Sequence, residues 1–306
     1  MTYEVLFAHW CALSADARVV LVTDSAQRET AECIMTEMAR PCEVCLYDTS
    51  PALRELLAAL APEDLVIVLL SFDTMLDFSR ERWFSPFGKP EWLRAKCAFV
   101  RLNISERSLR EGLSTPKVAV YAKIAQRAAL PVGALLRVTN AAGTDLTLRT
   151  GPFTTCAHEI RSPGGHCFLP PSETSGEVVP GSANGRIVVD VTLGQVHRFA
   201  EELGHFGLVD APVTLTVREG LLTAATGSPT AEAFMALLQT LPEDSRTLVE
   251  LGQGLSAMNP TGLIGVDESI LDTCHFGFGH HENGTHTDVV IRNPEITPLD
   301  DIPANT

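Results

Sequence analysis

The chain has 306 residues, of which 45% are hydrophobic, and it carries a formal net charge of −15 at neutral pH. This apolar content is typical of a folded, enzyme-sized protein with a substantial core. The excess of acidic over basic residues, without a Lys/Arg cluster, argues against nucleic acid and anionic membrane as partners. Bound cations would neutralise part of that charge.

The first twelve residues lack the features of an export signal, because Glu4 and His9 interrupt them and no basic segment precedes an apolar run. No apolar run approaches the roughly 20 residues of a membrane span, and the run at 65–70 has the length of a strand. We therefore expect a soluble, cytoplasmic protein. The eight scattered cysteines do not indicate a disulfide framework, and we interpret the pair Cys42 and Cys45 as half-buried thiols.

The first hundred residues predict an α/β scaffold. The predicted strands are 18–23, 42–47 and 64–70, and the predicted helices are 25–38 and 51–61. Strands that are apolar on both faces and separated by helices favour a parallel sheet. No glycine-rich phosphate loop follows the first strand, where Thr23-Asp24-Ser25 resembles a helix N-cap. We therefore interpret this region as a scaffold and not as a nucleotide site.

From about Leu130 the pattern changes to short alternating segments broken by Gly, Pro, Asn and Asp. Examples are 145–149, 186–190 and 213–217, with one predicted helix near 230–240. This pattern favours an antiparallel, β-rich α+β domain. With a boundary at 125–135, the prediction is an α/β scaffold domain at 1–130 and a metal-binding catalytic domain at 131–306. The tail from Asn293 is predicted to be an extended surface strand or arm.

Four of the nine histidines (His275, His280, His281 and His286) fall within twelve positions, next to Asp288. His286 and Asp288 stand at i and i+2 of a predicted strand, so they share one face and lie about 7 Å apart along it. His275 alternates with bulky residues in a glycine-containing segment, where glycine allows close approach of a metal. These three residues are a suitable ligand set for Zn, Mn, Co or Fe(II).

Two further carboxylates are candidate ligands. Glu250 interrupts an apolar run, where an unpaired buried carboxylate would cost several kcal/mol. Glu177 lies in a Pro/Gly-rich segment, 170–180, that we predict to be a loop presenting its side chain into a cleft. Three carboxylates and two imidazoles suffice for two metal ions about 3.5 to 4 Å apart.

The other candidates have simpler interpretations. His280 and His281 are interpreted as surface-loop residues unless they assist catalysis. Solvated-loop residues are predicted at His158, His166 and Glu173, and the alternative is that these residues orient a ligand or contact substrate. Ordinary helix or turn residues are predicted at His197 and His205, and a helix start at Asp267-Glu268.

Residues 140–292 resemble the aminopeptidase T type metallopeptidases, also called thermophilic metalloproteases. The resemblance rests on an ordered series of motifs: Gly143-Thr-Asp-Leu146, Ser175-Gly-Glu-Val178, Gly185-Arg-Ile-Val-Val-Asp190, Val249-Glu-Leu-Gly252 with Asn259-Pro260, Asp267-Glu268, Asp272-Thr-Cys-His275 and His286-Thr-Asp288. It implies five metal ligands, namely Glu177, Glu250, His275, His286 and Asp288, and a homodimer.

The chain departs from this family in two places. The peptidases tend to carry a tyrosine shortly after the ligand that matches His275, and this chain has none there. His280 or His281 would then assist the transition state. The N-terminal domain is also shorter and poorly matched.

The segment 286–293 is also similar to the 2,5-dihydroxypyridine dioxygenases, which use one Fe(II) held by two histidines and a carboxylate. In that branch the position matching Glu250 is a histidine, and the position matching His275 is not. The sequence therefore favours a metal-dependent hydrolase, with Zn, Co or Mn, that cleaves an amide bond in a small molecule or short peptide. The alternatives are a mononuclear Fe(II) dioxygenase and a non-catalytic protein that keeps its metal for stability.

Overall fold

A computed structural model of the chain describes residues 1–47, 50–75, 89–156, 158–198, 201–279 and 284–299. The chain divides into two compact units. The first comprises Met1–Pro116, Cys156–Ser172 and Ser256–Met258, and the second comprises Lys117–Thr155, Glu173–Leu255 and Asn259–Thr306. A single boundary near residue 130 therefore does not describe the division, because the chain returns to the first unit to add a strand to its sheet.

The first unit is built on a five-stranded sheet with the order β2-β1-β3-β4-β8, in which every pair is parallel. The strands are β1 (Val19–Thr23), β2 (Cys42–Leu46), β3 (Leu65–Leu69), β4 (Lys96–Val100) and β8 (His166–Leu169). The helices are α1 (Tyr3–Cys11), α2 (Arg28–Glu37), α3 (Pro51–Ala58) and α4 (Glu106–Leu113). All residues of β1, β3 and β4 are buried, as expected for the central strands of a parallel sheet. The predicted parallel α/β architecture is confirmed.

Local chemistry explains where these helices begin. The hydroxyl of Ser50 accepts a hydrogen bond from the Leu53 amide at 3.4 Å, and Pro51 occupies the first turn of α3. Asp24 is not the N-cap of α2. Its carboxylate accepts hydrogen bonds from the amides of Gln27 (2.9 Å) and Ser71 (2.7 Å), and so it ties the end of β1 to the segment after β3.

The second unit contains two antiparallel sheets. The six-stranded sheet has the order β14-β13-β10-β6-β5-β18, and the seven-stranded sheet has the order β12-β11-β17-β16-β15-β9-β7. The strands are β5 (Leu135–Thr139), β6 (Asp145–Arg149), β7 (Thr154–Thr155), β9 (Glu173–Glu177), β10 (Asn184–Val189), β11 (Gln195–Arg198), β12 (Glu201–His205), β13 (Val213–Arg218), β14 (Leu221–Thr226), β15 (Leu248–Gly254), β16 (Thr273–Phe278), β17 (Thr285–Arg292) and β18 (Glu295–Pro298). The helices are α5 (Lys117–Ala128), α6 (Pro229–Gln239), α7 (Ile264–Asp267) and a 3-10 turn at Glu243–Arg246.

One hydrophobic core joins the two sheets and α6. Leu215 of the six-stranded sheet, Phe234 of α6 and Phe276 of the seven-stranded sheet are all fully buried in it. The β-rich second domain and its helix near 230–240 are thus confirmed. The predicted terminal strand is also present, since β18 pairs with β5.

Three local predictions are corrected. The segment predicted as a loop around Glu177 contains β9, which pairs with β15. His197 lies on β11 and not in a helix or turn. Asp267 ends α7 instead of starting a helix, and its fully buried carboxylate accepts hydrogen bonds from Thr192, Thr261 and Gly262. Asp267 therefore fixes the loop that leads into α7.

All eight cysteines are free thiols. Cys42 and Cys45 lie on β2 and are partly buried. Burial, with a smaller contribution from Glu4, raises the pKa of Cys42 to about 11, so this thiol is protonated at neutral pH. Such a group is a poor metal ligand or nucleophile.

None of the helices in the described ranges is both long and apolar enough to cross a membrane.

Candidate metal centre

The seven-stranded sheet has one apolar and one polar face. Leu251, Phe276 and Val289 stand in register on three adjacent strands and are fully buried in the core. Because side chains alternate along a strand, the neighbouring positions point to the opposite face. There His275 and Asp288 lie on the two adjacent strands β16 and β17.

A β-bulge turns Glu250 toward this polar face. Leu248 pairs with Phe278, but Glu250 pairs with Gly277, so Val249 is an extra residue in β15. Without that extra residue, Glu250 would share the core face with Leu248, because residues two apart point the same way. The bulge therefore directs the Glu250 carboxylate to the polar face although Leu248, two residues earlier, points into the core.

Two glycines make room for the polar side chains. A Cβ atom on Gly252 would lie 2.0 Å from Nε2 of His275, so the imidazole occupies the place of a side chain at position 252. Gly277 lies between Glu250 and Asp288 in the register of the sheet. A Cβ there would lie 2.9 Å from Asp288 Oδ1, from Glu250 Cβ and from His286 Cε1. The sheet thus has a depression at Gly277 toward which these three side chains converge.

Among the residues that the structure describes, two groups have ligand atoms that all lie within 4.8 Å of one another, and Glu250, His286 and Asp288 form the first. Nε2 of His286 lies 3.0 Å from Asp288 Oδ2 and 3.9 Å from Glu250 Oε2. Nδ1 of His286 lies 3.0 Å from the carbonyl oxygen of Gly279. Because a carbonyl only accepts, Nδ1 donates its proton in this hydrogen bond, and Nε2 is the nitrogen that would bind a metal in exchange for its own proton.

Glu173, Glu250 and His275 form the second group. Nε2 of His275 lies 2.8 Å from Glu173 Oε2 and 3.8 Å from Glu250 Oε1. The imidazole is 1% exposed, and its Nδ1 has no hydrogen-bond partner among the described residues. Glu250 belongs to both groups and directs one carboxylate oxygen toward each imidazole.

The carboxylates keep both imidazoles protonated when no metal is bound. Burial alone lowers the pKa of each imidazole, but the neighbouring negative charges outweigh it. Glu173 holds the pKa of His275 well above its ordinary value, and Asp288 raises the pKa of His286 to about 10. Three carboxylates around two imidazoles therefore require positive charge, which either protons or a metal ion can provide.

The predicted ligands are only partly brought together. Glu250, His275, His286 and Asp288 meet on this face, but Glu177 is exposed and belongs to neither group. Glu177 pairs with Glu250 in the sheet and stays a prediction as a ligand. His280 and His281, the predicted catalytic residues, lie outside the described residues.

The structure adds two residues that the sequence analysis set aside. Glu173, predicted to be a solvated loop residue, is half-buried on β9 and contacts His275. His197 pairs directly with His286 on the neighbouring strand, so both point to the polar face. Glu173 and Glu177 are four residues apart, so they share one face if the segment is a strand. This signal for Glu173 was missed because the segment was predicted to be a loop.

The donor set fits a divalent metal ion. The paired donors, 2.8 and 3.0 Å apart, are close enough for one ion with metal–ligand bonds of about 2.1 Å to contact both members of a pair. The depression at Gly277, which any larger residue would fill, adds the space that such an ion needs. A parallel α/β unit followed by a β-rich unit with this carboxylate and imidazole surface is typical of a metal-dependent enzyme.

The chain belongs to the NicX family of 2,5-dihydroxypyridine 5,6-dioxygenases, whose model matches residues 5–298. Family membership indicates an oxidoreductase and favours the oxygenase alternative over the hydrolase that the ligand set suggested. No curated protein matches the chain by sequence.

Several solved structures share its fold, including a dioxygenase and AmpT. The 2,5-dihydroxypyridine dioxygenase from Pseudomonas putida KT2440 is 17% identical, with a TM-score of 0.61, and the match covers 98% of this chain and 94% of the other. AmpT from Thermus thermophilus is 15% identical, with a TM-score of 0.53, and the match covers 97% and 94%. At these identities the likeness extends to the fold alone.

Proposed function

We propose that this chain is an Fe(II)-dependent dioxygenase that opens a hydroxylated N-heteroaromatic ring and incorporates both atoms of O2 into the product. The observation that carries this proposal is the group of Glu250, His286 and Asp288, which lies within the part of the chain matched by the dioxygenase family. Fe(II) held there would supply a common binding point for oxygen and for a ring hydroxyl.

The side chains prepare this site in the absence of metal. His286 is oriented by its hydrogen bond to Gly279 and presents Nε2 beside the carboxylate of Asp288. Glu250 is the third donor, in place of the second imidazole of the usual facial triad of two histidines and one carboxylate. His275, the second histidine of the sequence-predicted iron site, faces Glu173 instead.

Oxygen consumption tests the proposal. Protein reconstituted anaerobically with Fe(II) should consume one O2 per 2,5-dihydroxypyridine, and the product should carry both atoms of labelled O2. His286→Gln should lose at least about 100-fold in activity and its iron. The matched control is His205→Gln, which should retain both; His205 lies on β12, is partly exposed and is hydrogen-bonded to the carbonyl of Gly262. Iron-loaded protein that consumes no oxygen with any hydroxylated pyridine would contradict the proposal.

A second candidate function is a two-metal hydrolase acting on an amide bond. The observation in its favour is that Glu250 belongs to both groups, with Oε1 3.8 Å from His275 and Oε2 3.9 Å from His286. A carboxylate in that position is suited to bridge two ions, the arrangement that activates water and polarises a carbonyl.

Metal stoichiometry separates the two functions. A hydrolase should bind two Zn, Co or Mn ions per chain and should lose one of them in Glu173→Gln. The oxygenase should bind one iron, and the same substitution should leave that iron in place. Cleavage of short peptides by the two-metal form, without oxygen uptake, would favour the hydrolase.

A further inference from the structure

Glu177 lies directly beside the candidate metal centre but does not contact it. It pairs with Glu250 between β9 and β15, and directly opposed residues in antiparallel strands have Cβ atoms about 4.5–5.5 Å apart on the same face. Glu173, on the same face of β9, is half-buried and contacts His275. Glu177 is exposed. The two glutamates of β9 therefore have different environments.

The backbone holds Glu177 firmly in place. Its carbonyl oxygen accepts a hydrogen bond from Gly151 at 2.9 Å, and the next amide, that of Val178, donates to Val249 at 2.7 Å. The Glu177 side chain makes no hydrogen bond or ion pair within the described parts of the chain. The main chain at Glu177 is thus held next to Glu250, and its exposed carboxylate has free acceptor capacity at this side of the site.

We propose that Glu177 is a substrate-recognition residue that accepts a hydrogen bond from a ring N–H of the substrate. The inference rests on the proposed function and names the feature by which this site selects its substrate class. 2-Hydroxypyridines exist in water largely as pyridones, which carry an N–H next to the carbonyl. A carboxylate accepts this donor strongly and repels rings that carry a carboxylate of their own.

Substitution of a recognition residue and substitution of a metal ligand should change different affinities. A ligand contributes to metal affinity whatever the substrate. A recognition residue contributes only to the binding of rings that have the N–H donor, because a ring without it leaves the carboxylate solvated in both the free and the bound states.

Anaerobic binding tests the inference without turnover. The affinities of Fe(II)-loaded protein for 2,5-dihydroxypyridine and for hydroquinone, its carbocyclic analogue, are measured by calorimetry in the absence of oxygen. Iron content is measured on the same samples. Three proteins are compared: the unsubstituted chain, Glu177→Ala, and Glu295→Ala as a control, since Glu295 is an exposed strand glutamate of the other sheet.

We expect Glu177→Ala to keep its iron, to bind 2,5-dihydroxypyridine about 10- to 100-fold more weakly, and to bind hydroquinone within about twofold of the unsubstituted chain. Loss of iron would overturn the inference and return Glu177 to the role of a ligand. Unchanged affinity for the pyridine, equal weakening for both rings, or no pyridine binding by the unsubstituted chain would also overturn it. If the pyridine binds as expected but no oxygen is consumed in air, the proposed function fails and the recognition role stands.

Discussion

Gly277→Ala should damage the candidate metal centre without adding or removing any ligand. The new Cβ would lie 2.9 Å from one atom each of Glu250, His286 and Asp288, whereas ordinary contacts begin at about 3.4 Å. Each contact must therefore open by about 0.5 Å, which exceeds the roughly 0.2 Å that metal–ligand distances tolerate.

The expected effect is a loss of metal affinity of roughly 10- to 100-fold, the range found when groups that orient metal ligands are changed. Unfolding free energy should fall by about 1–3 kcal/mol because of the overpacking. Affinity is measured anaerobically by competition between the protein and a chelator for Fe(II) or Co(II), and stability is measured by denaturant unfolding of the metal-free protein.

Gly265→Ala is the matched control, because a Cβ at that position meets nothing within 4 Å among the described residues. This control should bind metal normally. Gly277→Ala with an affinity within twofold of the control would refute the argument, since the metal would then not depend on the three side chains that converge above Gly277.

Two further substitutions and a pH titration test the second metal group, His286 and the loop before α7. Gly252→Ala would place a Cβ 2.0 Å from Nε2 of His275 and displace that imidazole. A two-metal protein should then lose one ion, whereas a protein with one iron held by His286 should keep it. The metal content per chain distinguishes the two outcomes. In metal-free protein, the raised pKa of His286 contributes stability that is complete below pH 6.5 and is lost as the pH rises toward about 10. The melting temperature should therefore fall over that interval, and it should fall less in His286→Gln. Asp267→Asn should lower the unfolding free energy by about 1–3 kcal/mol, because an amide nitrogen would face donors that the carboxylate now satisfies; denaturant unfolding measures it.

The sequence alone determined the class of each unit. The runs at 65–69 and 19–22 are apolar at every position, and such composition is typical of strands that are buried on both faces, which indicated a parallel sheet. It also determined the pair His286 and Asp288, because alternation along a single strand fixes which residues share a face. Both conclusions depend only on residues close together in the chain.

Tertiary structure decided which other residues reach that pair. Alternation does not give the register between strands, and the bulge at Val249 reverses the face of Glu250 relative to Leu248. The missing side chain at Gly252 lets His275 lean into the space that a residue there would fill, where it meets Glu173. The contact between Glu173 and His275 joins residues about a hundred positions apart in sequence. It depends on strand pairing and packing, which local sequence patterns do not contain.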